Sequence, residues 1–181
     1  AVDWQGRSYD TTSGPAAHPN SRFTVSAKNI PSYSSLAEAP EGVPIAAVVF
    51  GGRRRELAPL VYQAKDWAHG VLVGASGASE TTAAATGEVG VVRRDPMAMK
   101  PFCGYNFAAY WRHWLSFEDR SDKLPKIFHV NWARRDADGR VLWPGFGENL
   151  RVLRWVIDRC EGRVDADTLP IGHLPKAGTI D

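Results

Sequence analysis

The feature that most constrains the fold is a continuous apolar run, Ile-Ala-Ala-Val-Val-Phe at 45–50, which ends at two glycines. A run of this length closed by a turn is typical of a strand buried inside a sheet. Three arginines, Arg53, Arg54 and Arg55, follow the glycines directly. Because open α/β sheets bind ligands where strands end, this turn is a candidate anion site. The alternative is an ordinary solvated turn, since charge runs are usually exposed.

Further strand and helix signals follow along the chain. Apolar runs or alternation predict strands at residues 60–62, 70–73, 90–92 and 126–131. Residues 136–139, Asp-Ala-Asp-Gly, predict a hairpin-type turn that leads into a strand at 140–143. These elements indicate a sheet.

Two helices are predicted by apolar residues recurring at three- and four-residue spacing. The helix over 106–118 is expected to bury Phe107, Tyr110, Trp111, Trp114 and Leu115. The helix over 149–161, stopped by Gly162, is expected to bury Val152, Leu153, Val156, Ile157 and Cys160. Strands mixed with helices predict an α/β (mixed α+β) fold, a mixed sheet with flanking helices, in one domain over residues 1–181.

Two stretches carry little periodicity. Residues 1–44 are rich in Ser, Pro, Gly and Ala and are expected to form extended, loop-rich structure. Residues 74–90 are rich in small side chains, with a short helix predicted at 79–85, and are expected to form a mobile loop.

Composition excludes several classes of function. The net charge is +2, from 22 basic and 20 acidic residues, so no strong field favours nucleic-acid or membrane binding. Two cysteines without CxxC spacing favour a reducing, cytoplasmic location. No apolar run approaches the ~20 residues that a membrane span needs, and the start is unlike a signal peptide. Because no initiator Met is present, the chain is expected to be processed or part of a longer protein.

Four motifs without simple periodicity accompany the arginine turn. They are His-Pro-Asn-Ser-Arg-Phe at 18–23, Asp-Pro-Met-Ala-Met-Lys-Pro-Phe at 95–102, Lys-Leu-Pro-Lys-Ile-Phe-His-Val-Asn-Trp at 123–132, and Leu-Trp-Pro-Gly-Phe-Gly-Glu-Asn at 142–149. With the Gly-Gly-Arg-Arg turn, they closely resemble the GTP-dependent phosphoenolpyruvate carboxykinases. The resemblance runs nearly end to end and matches part of the C-terminal nucleotide-binding domain of that family.

The resemblance implies roles for three residues of the first half. Asn20 and Arg22 would contact oxaloacetate or phosphoenolpyruvate, and Arg53 would reach the nucleotide phosphates. An arginine fork suits either a carboxylate or a phosphate. From residues 18–23 alone, an arginine that anchors a loop through backbone carbonyls is the alternative.

The family also implies a lid and a base pocket. The lid would include Ser79, Glu80, Thr81, Thr82 and Ala83 and would keep water from the enolate intermediate. Nucleotide contacts would come from Trp132, Ala133, Val141, Phe146 and Asn149. The family has Phe where this chain has Ala133 and Val141, and stacking on an aromatic is worth about 1–3 kcal/mol per base. Ala78 also replaces a usual lid arginine.

The chain has no GxxxxGK[ST] phosphate loop and no HxxxH or HExxH pair. The resemblance implies a gluconeogenic enzyme that uses GTP/GDP with Mn²⁺ or Mg²⁺, whose metal ligands lie outside this segment, and that is a monomer when complete. The isolated 181 residues are not expected to be catalytically competent. Two alternatives remain: a stand-alone degenerate paralogue that binds a small anion or nucleotide, and a carboxykinase-like enzyme with another phosphoryl donor.

Overall fold

The computed structural model describes residues 1–18, 21–22, 24–82 and 88–180. The chain divides into two compact units. The first comprises Ala1–Pro44 with Thr81–Gly90, and the second comprises Ile45–Glu80 with Val91–Asp181. The assignment of residues 1–181 to a single domain therefore stays a prediction.

The second unit contains the regular structure of the described chain. Its strands are β1 (Ala47–Gly51), β2 (Val61–Gln63), β3 (Ala78–Glu80), β4 (Val92–Arg94), β5 (Lys126–Val130), β6 (Ala166–Leu169) and β7 (Gly172–Pro175). Its helices are α1 (Trp67–Ala75), α2 (Phe107–Leu115) and α3 (Asn149–Cys160), with short 3-10 turns at Pro96–Ala98 and Phe146–Glu148.

Five strands form a mixed sheet in the order β1-β5-β2-β7-β6. Strand β1 runs parallel to β5, while β2 pairs antiparallel with both β5 and β7. A separate antiparallel pair joins β3 to β4. The prediction of an α/β fold with a mixed sheet and flanking helices is confirmed.

Strand β5 lies inside the sheet and contributes to two core clusters because its side chains alternate between faces. Phe128 and Val130 pack with Val61 and with the α3 residues Val152, Trp155 and Val156. Ile127 packs in the second cluster with Ala64 and the α1 residue Val73. Strand β1 is less buried than its sequence predicts, with Val49 43% exposed, because it lies at the edge of the described sheet.

Helix α1 corrects the strand predicted at 70–73. Asp66 caps the helix by accepting from the His69 amide at 2.7 Å. Glycines at 70 and 74 lie one turn apart, and a Cβ on either would meet Ile127 or Phe50 at 2.4 or 2.6 Å. The apolar run is therefore a helix, and its two glycines let it pack closely against β5 and β1.

The two predicted helices form, but their buried faces differ from the prediction. In α2, Asn106 is the N-cap, and none of its residues is fully buried; Leu115 is 40% exposed. In α3, Val152 and Val156 are buried, whereas Leu153 and Ile157 are 39% and 48% exposed. Trp155 and Asp158 are buried in their place. Gly162 follows the C-cap with φ +70°, as the predicted helix stop requires.

Other local predictions had mixed outcomes. Residues 136–139 form the predicted turn, since the Gly139 amide donates to the Asp136 carbonyl at 3.0 Å. The strand predicted at 140–143 is reduced to one bridge between Arg135 and Val141. The helix predicted at 79–85 is wrong at its start, because residues 79 and 80 belong to β3; residues 83–85 lie outside the described part.

The first unit is loop-rich, as predicted for residues 1–44. Its described residues form 3-10 turns at Ala27–Asn29 and Ser35–Glu38 and an isolated bridge between Val2 and Ser8. Serine side chains cap both turns, with Ser26 accepting from the Lys28 amide and Ser34 from the Leu36 amide.

Candidate functional site

The arginine segment (residues 53–55) follows β1, and its first and third residues are hydrogen-bonded to β3. The Arg53 amide donates to the Ser79 hydroxyl at 2.9 Å, and the Glu80 amide donates to the Arg53 carbonyl at 2.8 Å. The Glu80 carboxylate accepts from the amide and Nε of Arg55, both at 3.0 Å. Arg53 Nη2 also donates to the Glu80 carbonyl at 3.0 Å, yet Arg53 stays exposed. A guanidinium is thus presented to solvent from a fixed backbone.

Asn131 holds the other side of the arginine segment. This residue directly follows β5 and is fully buried. Its Oδ1 accepts from the Arg54 amide at 3.0 Å and from the Ala133 amide at 3.2 Å. Its Nδ2 donates to the carbonyls of Arg54 and Ala58 at 2.9 and 3.0 Å. All four hydrogen-bonding positions of the amide are filled, so one side chain joins the arginine segment to the Trp132–Ala133 turn.

Sequence reasoning missed the role of Asn131. The signal was a buried-strand pattern that ends in a polar residue immediately before Trp132. A buried amide requires partners, and the partners here are 73 to 77 residues away for three of its four bonds. No local pattern could name them.

His129 lies beneath the turn that precedes the arginine segment. The ring is 7% exposed and stacks on Tyr62, with centroids 5.3 Å apart. Among described residues, its Nδ1 has no hydrogen-bond partner. Burial, and then the positive charge of Arg54, lowers the pKa of His129, which favours the neutral ring. A Cβ on Gly52 would lie 2.8 Å from the Ala78 carbonyl, so glycine is required for this close approach.

The aromatic segment (residues 132–149) carries the predicted nucleotide-binding residues. Trp132 and Trp143 pack with ring centroids 5.6 Å apart and an interplanar angle of 35°. The Trp143 indole donates to Asn149 Oδ1 at 2.9 Å. Phe146 is 91% exposed, Val141 is 48% exposed, and Ala133 is half-buried. Trp143, which the sequence analysis did not select, links two of the predicted residues.

The predicted substrate residues belong to the first unit. Arg22 is exposed, and Asn20 lies outside the described residues. His18, which begins the same motif, contacts the Trp4 ring edge-on at 4.7 Å. The Trp4 amide donates to the Ala16 carbonyl at 2.8 Å. Ala16 and His18, which precede Arg22 in the chain, therefore both contact Trp4.

The predicted lid residues fall into two groups. Ser79 and Glu80 belong to β3 and are bonded to the arginine segment, with Ser79 7% exposed. Thr81 belongs to the first unit, where its hydroxyl donates to the Glu88 carbonyl and its carbonyl accepts from the Gly90 amide at 2.9 Å. Thr82 is half-buried, and Ala83 lies outside the described residues.

The described residues do not fit a metal site of their own. Within the described ranges, no group of three or more His, Cys, Asp or Glu side chains is arranged to hold an ion. Among the same residues, no helix is long and apolar enough to cross a membrane.

Fold and site define an α/β domain in which a fixed arginine segment lies beside an aromatic one. A family model described as the phosphoenolpyruvate carboxykinase C-terminal P-loop domain matches residues 1–181. The chain belongs to this family.

Curated relatives agree with the family match. A protein from Anaeromyxobacter sp. (strain K), named phosphoenolpyruvate carboxykinase (GTP), is 53% identical over 99% of this chain. Proteins of the same name from Chlamydia pneumoniae and Thermoplasma volcanium are 55% and 53% identical over 96% and 97% of the chain. The chain spans only 29–30% of the length of these relatives.

Proposed function

We propose that the complete protein containing this chain is a GTP-dependent phosphoenolpyruvate carboxykinase. It would convert oxaloacetate and GTP to phosphoenolpyruvate, GDP and CO₂. The observation that carries the proposal is 53% identity to a relative of that name across 99% of the chain. In this reaction, loss of CO₂ leaves an enolate whose oxygen attacks the γ-phosphorus of GTP, and GDP leaves.

In this proposal, Arg53 contacts the phosphates of the nucleotide. Its exposed guanidinium would stabilise the charge that spreads over the transferring phosphoryl oxygens. Support comes from the bonds to Ser79 and Glu80, because a backbone fixed in advance loses little entropy when the anion binds. Asn20 and Arg22 would contact the carboxylates of oxaloacetate or phosphoenolpyruvate, for which an arginine fork is well suited.

The aromatic segment would bind the guanine base through Trp132, Ala133, Val141, Phe146 and Asn149. A Phe that is 91% exposed supports this role, since its ring is open to stacking. Residues Ser79, Glu80, Thr81, Thr82 and Ala83 would form the lid, with Ser79 and Glu80 as its fixed base. A closed lid would keep water from the enolate, whose protonation would give pyruvate.

A divalent cation, Mn²⁺ or Mg²⁺, would neutralise phosphate charge when bound. The described residues of this chain do not form its site, so its ligands are proposed in the remainder of the protein. A monomeric state and a cytoplasmic location are part of the same proposal.

The test is an assay of the complete natural chain for GTP-dependent formation of phosphoenolpyruvate from oxaloacetate. Turnover with GTP is expected, and ATP should be a poorer donor. If no phosphoenolpyruvate forms with GTP in the presence of Mn²⁺ or Mg²⁺, the proposal is wrong.

A carboxykinase-like enzyme with another phosphoryl donor is the second candidate. The small, partly exposed side chains Ala133 and Val141 favour it, because neither offers a ring to the base. Turnover with ATP, ITP or pyrophosphate at least equal to that with GTP would support this candidate over the first.

A further inference from the structure

The orientation of the Asn149 amide is set by Trp143. The Trp143 indole Nε1 lies 2.9 Å from Asn149 Oδ1. An indole N–H is only a donor, so the oxygen and not the nitrogen of the amide must face it. Asn149 is half-buried, and within the described part of the chain its Nδ2 makes no hydrogen bond. The amide therefore presents a donor that is still available.

Trp143 is itself held in place on several sides. Its ring packs against Trp132 and belongs to the periphery of the core cluster that contains Trp155. The Arg151 guanidinium lies over the ring, 5.3 Å from its centroid. Arg151 in turn donates to the Glu148 carboxylate at 3.2 Å. A ring restrained in this way fixes the direction of its N–H before any ligand binds.

We infer that Trp143 is a positioning residue for base selectivity, which it exerts by turning the Nδ2 donor of Asn149 toward the nucleotide base. This inference rests on the proposed function, in which Asn149 contacts the base. The ligand class it selects is a nucleotide with a 6-oxo purine, whose oxygen accepts a hydrogen bond. Trp143 itself does not contact the base in this account.

The chemistry of purines makes the consequence specific. Guanine and hypoxanthine both carry an oxygen at position 6, whereas adenine carries an amino group there. A donor that faces an amino group leaves two donors unpaired, and an unpaired polar group costs more than a bond contributes. Binding of GDP and IDP should therefore be similar, and binding of ADP weaker.

The experiment measures dissociation constants of GDP, IDP and ADP for the complete natural chain and for Trp143→Phe, which keeps a ring and removes the N–H. The ratio of ADP to GDP dissociation constants should fall by about 3- to 10-fold, the range expected for one neutral hydrogen bond. If Trp143 had only a structural role, Trp143→Phe would weaken the binding of GDP, IDP and ADP by the same factor.

Trp111→Phe is the matched control. The Trp111 Nε1 is buried and has no hydrogen-bond partner among described residues. Trp111→Phe therefore removes an indole N–H, as Trp143→Phe does, but breaks no hydrogen bond to an amide side chain. Its selectivity ratio should equal that of the wild type. In an Asn149→Ala background, Trp143→Phe should have no further effect on the ratio, because the amide through which it acts is gone.

The outcomes separate the two proposals. Failure of the wild type to bind GDP overturns the proposed function and this inference together. Binding of GDP with an unchanged ratio in Trp143→Phe overturns the inference alone. If Trp143→Phe does not fold, Asn149→Ala still decides: a fall in the ratio of ADP to GDP dissociation constants supports a donor from Asn149 at position 6. An unchanged ratio in Asn149→Ala would overturn the inference.

Discussion

The arginine segment and the aromatic segment differ in where their hydrogen-bond partners lie. Residues 53–55 bond to side chains and carbonyls that are 25 to 77 residues away. Most described bonds of the aromatic segment are local, such as the one between Trp143 and Asn149, six residues apart, although the Arg135 amide also donates to the Arg55 carbonyl at 2.9 Å. Phe146 in the same segment is 91% exposed.

This difference indicates that the two segments would respond differently when a ligand binds. Long-range bonds fix a backbone because they break only when whole elements separate, whereas local bonds leave exposed side chains free to adjust. We therefore expect the phosphate contact to be preformed and stacking on the base to be completed when the nucleotide binds. Five predictions test this comparison.

Arg53→Met should have the largest effect on activity. Loss of a positioned guanidinium should cost about 2–5 kcal/mol of transition-state stabilisation, measured as kcat/KM. Arg112→Met is the control, because Arg112 is exposed on α2 and lies outside both the arginine segment and the aromatic segment. Equal activity of the Arg53 variant and the wild type would remove Arg53 from the site.

Asn131→Ala should have the largest effect on stability. It leaves Arg54 and Ala58 backbone groups without their partner, which should lower the free energy of unfolding by about 2–4 kcal/mol. Asn149→Ala, which loses one local bond, should cost less than about 1.5 kcal/mol. Urea unfolding of both variants provides the measurement, and equal losses would contradict the comparison.

Gly52→Ala should perturb the turn that carries the arginine segment. The new Cβ would lie 2.8 Å from the Ala78 carbonyl, and such overpacking should cost about 1–3 kcal/mol of stability. Gly51→Ala is a matched control, because its Cβ would have its nearest neighbour at 4.0 Å. Thermal unfolding should give a lower melting temperature for Gly52→Ala than for Gly51→Ala. Equal melting temperatures would mean that the turn shifts to accommodate the new Cβ without loss of stability.

Phe146→Ala should weaken nucleotide binding without affecting the fold. Loss of one stacking partner should cost about 1–3 kcal/mol of binding free energy. Because the side chain is 91% exposed, the unfolding transition should not change. Titration calorimetry with GDP checks the first expectation. A drop in stability comparable to the drop in affinity would show that the ring is part of the packed structure.

The pH dependence of stability should show the smallest effect. The pKa of His129 is lowered below its ordinary 6.5, so the unfolded state binds a proton more readily than the folded state. The stability that the neutral ring of His129 contributes is therefore fully present above pH 6.5. This contribution is lost as the pH falls from 6.5 through the pKa of His129 in the folded state.

His129→Gln should reduce that pH slope, while His113→Gln, at an exposed helix position, serves as the control. Some slope will remain, because burial also lowers the pKa of His173. Unfolding free energies at several pH values between 7 and 5 give the comparison. A slope that is identical in His129→Gln and the wild type would assign the effect to other groups.

Much of the fold follows from patterns that are local in sequence. Periodicity located α2 and α3, and alternation located β5, because these elements each bury one face or alternate faces. Gly162 and the 136–139 turn were located by their backbone requirements. Helix α1 was mistaken for a strand, since its apolar run is too short to distinguish the two by periodicity.

The residues of the candidate site were predicted from the sequence, but most of the hydrogen bonds that hold them in place were not. Residue types suited to anions and bases were chosen by resemblance, and their roles stay predictions. Sequence reasoning did not find Asn131, whose partners come from another part of the chain, or the link from Trp143 to Asn149. It also treated Ser79 and Glu80 only as lid residues, although both are bonded to the arginine segment.

By itself, the sequence determined where β1, β2, β5, α2 and α3 lie, because burial sets the spacing of their apolar residues and backbone freedom sets the positions of the glycines that end them. The tertiary structure alone decided which side chains fix the arginine segment. Those bonds join residues far apart in the chain, and only the packed sheet brings the buried amide of Asn131 within reach of Arg54 and Ala58.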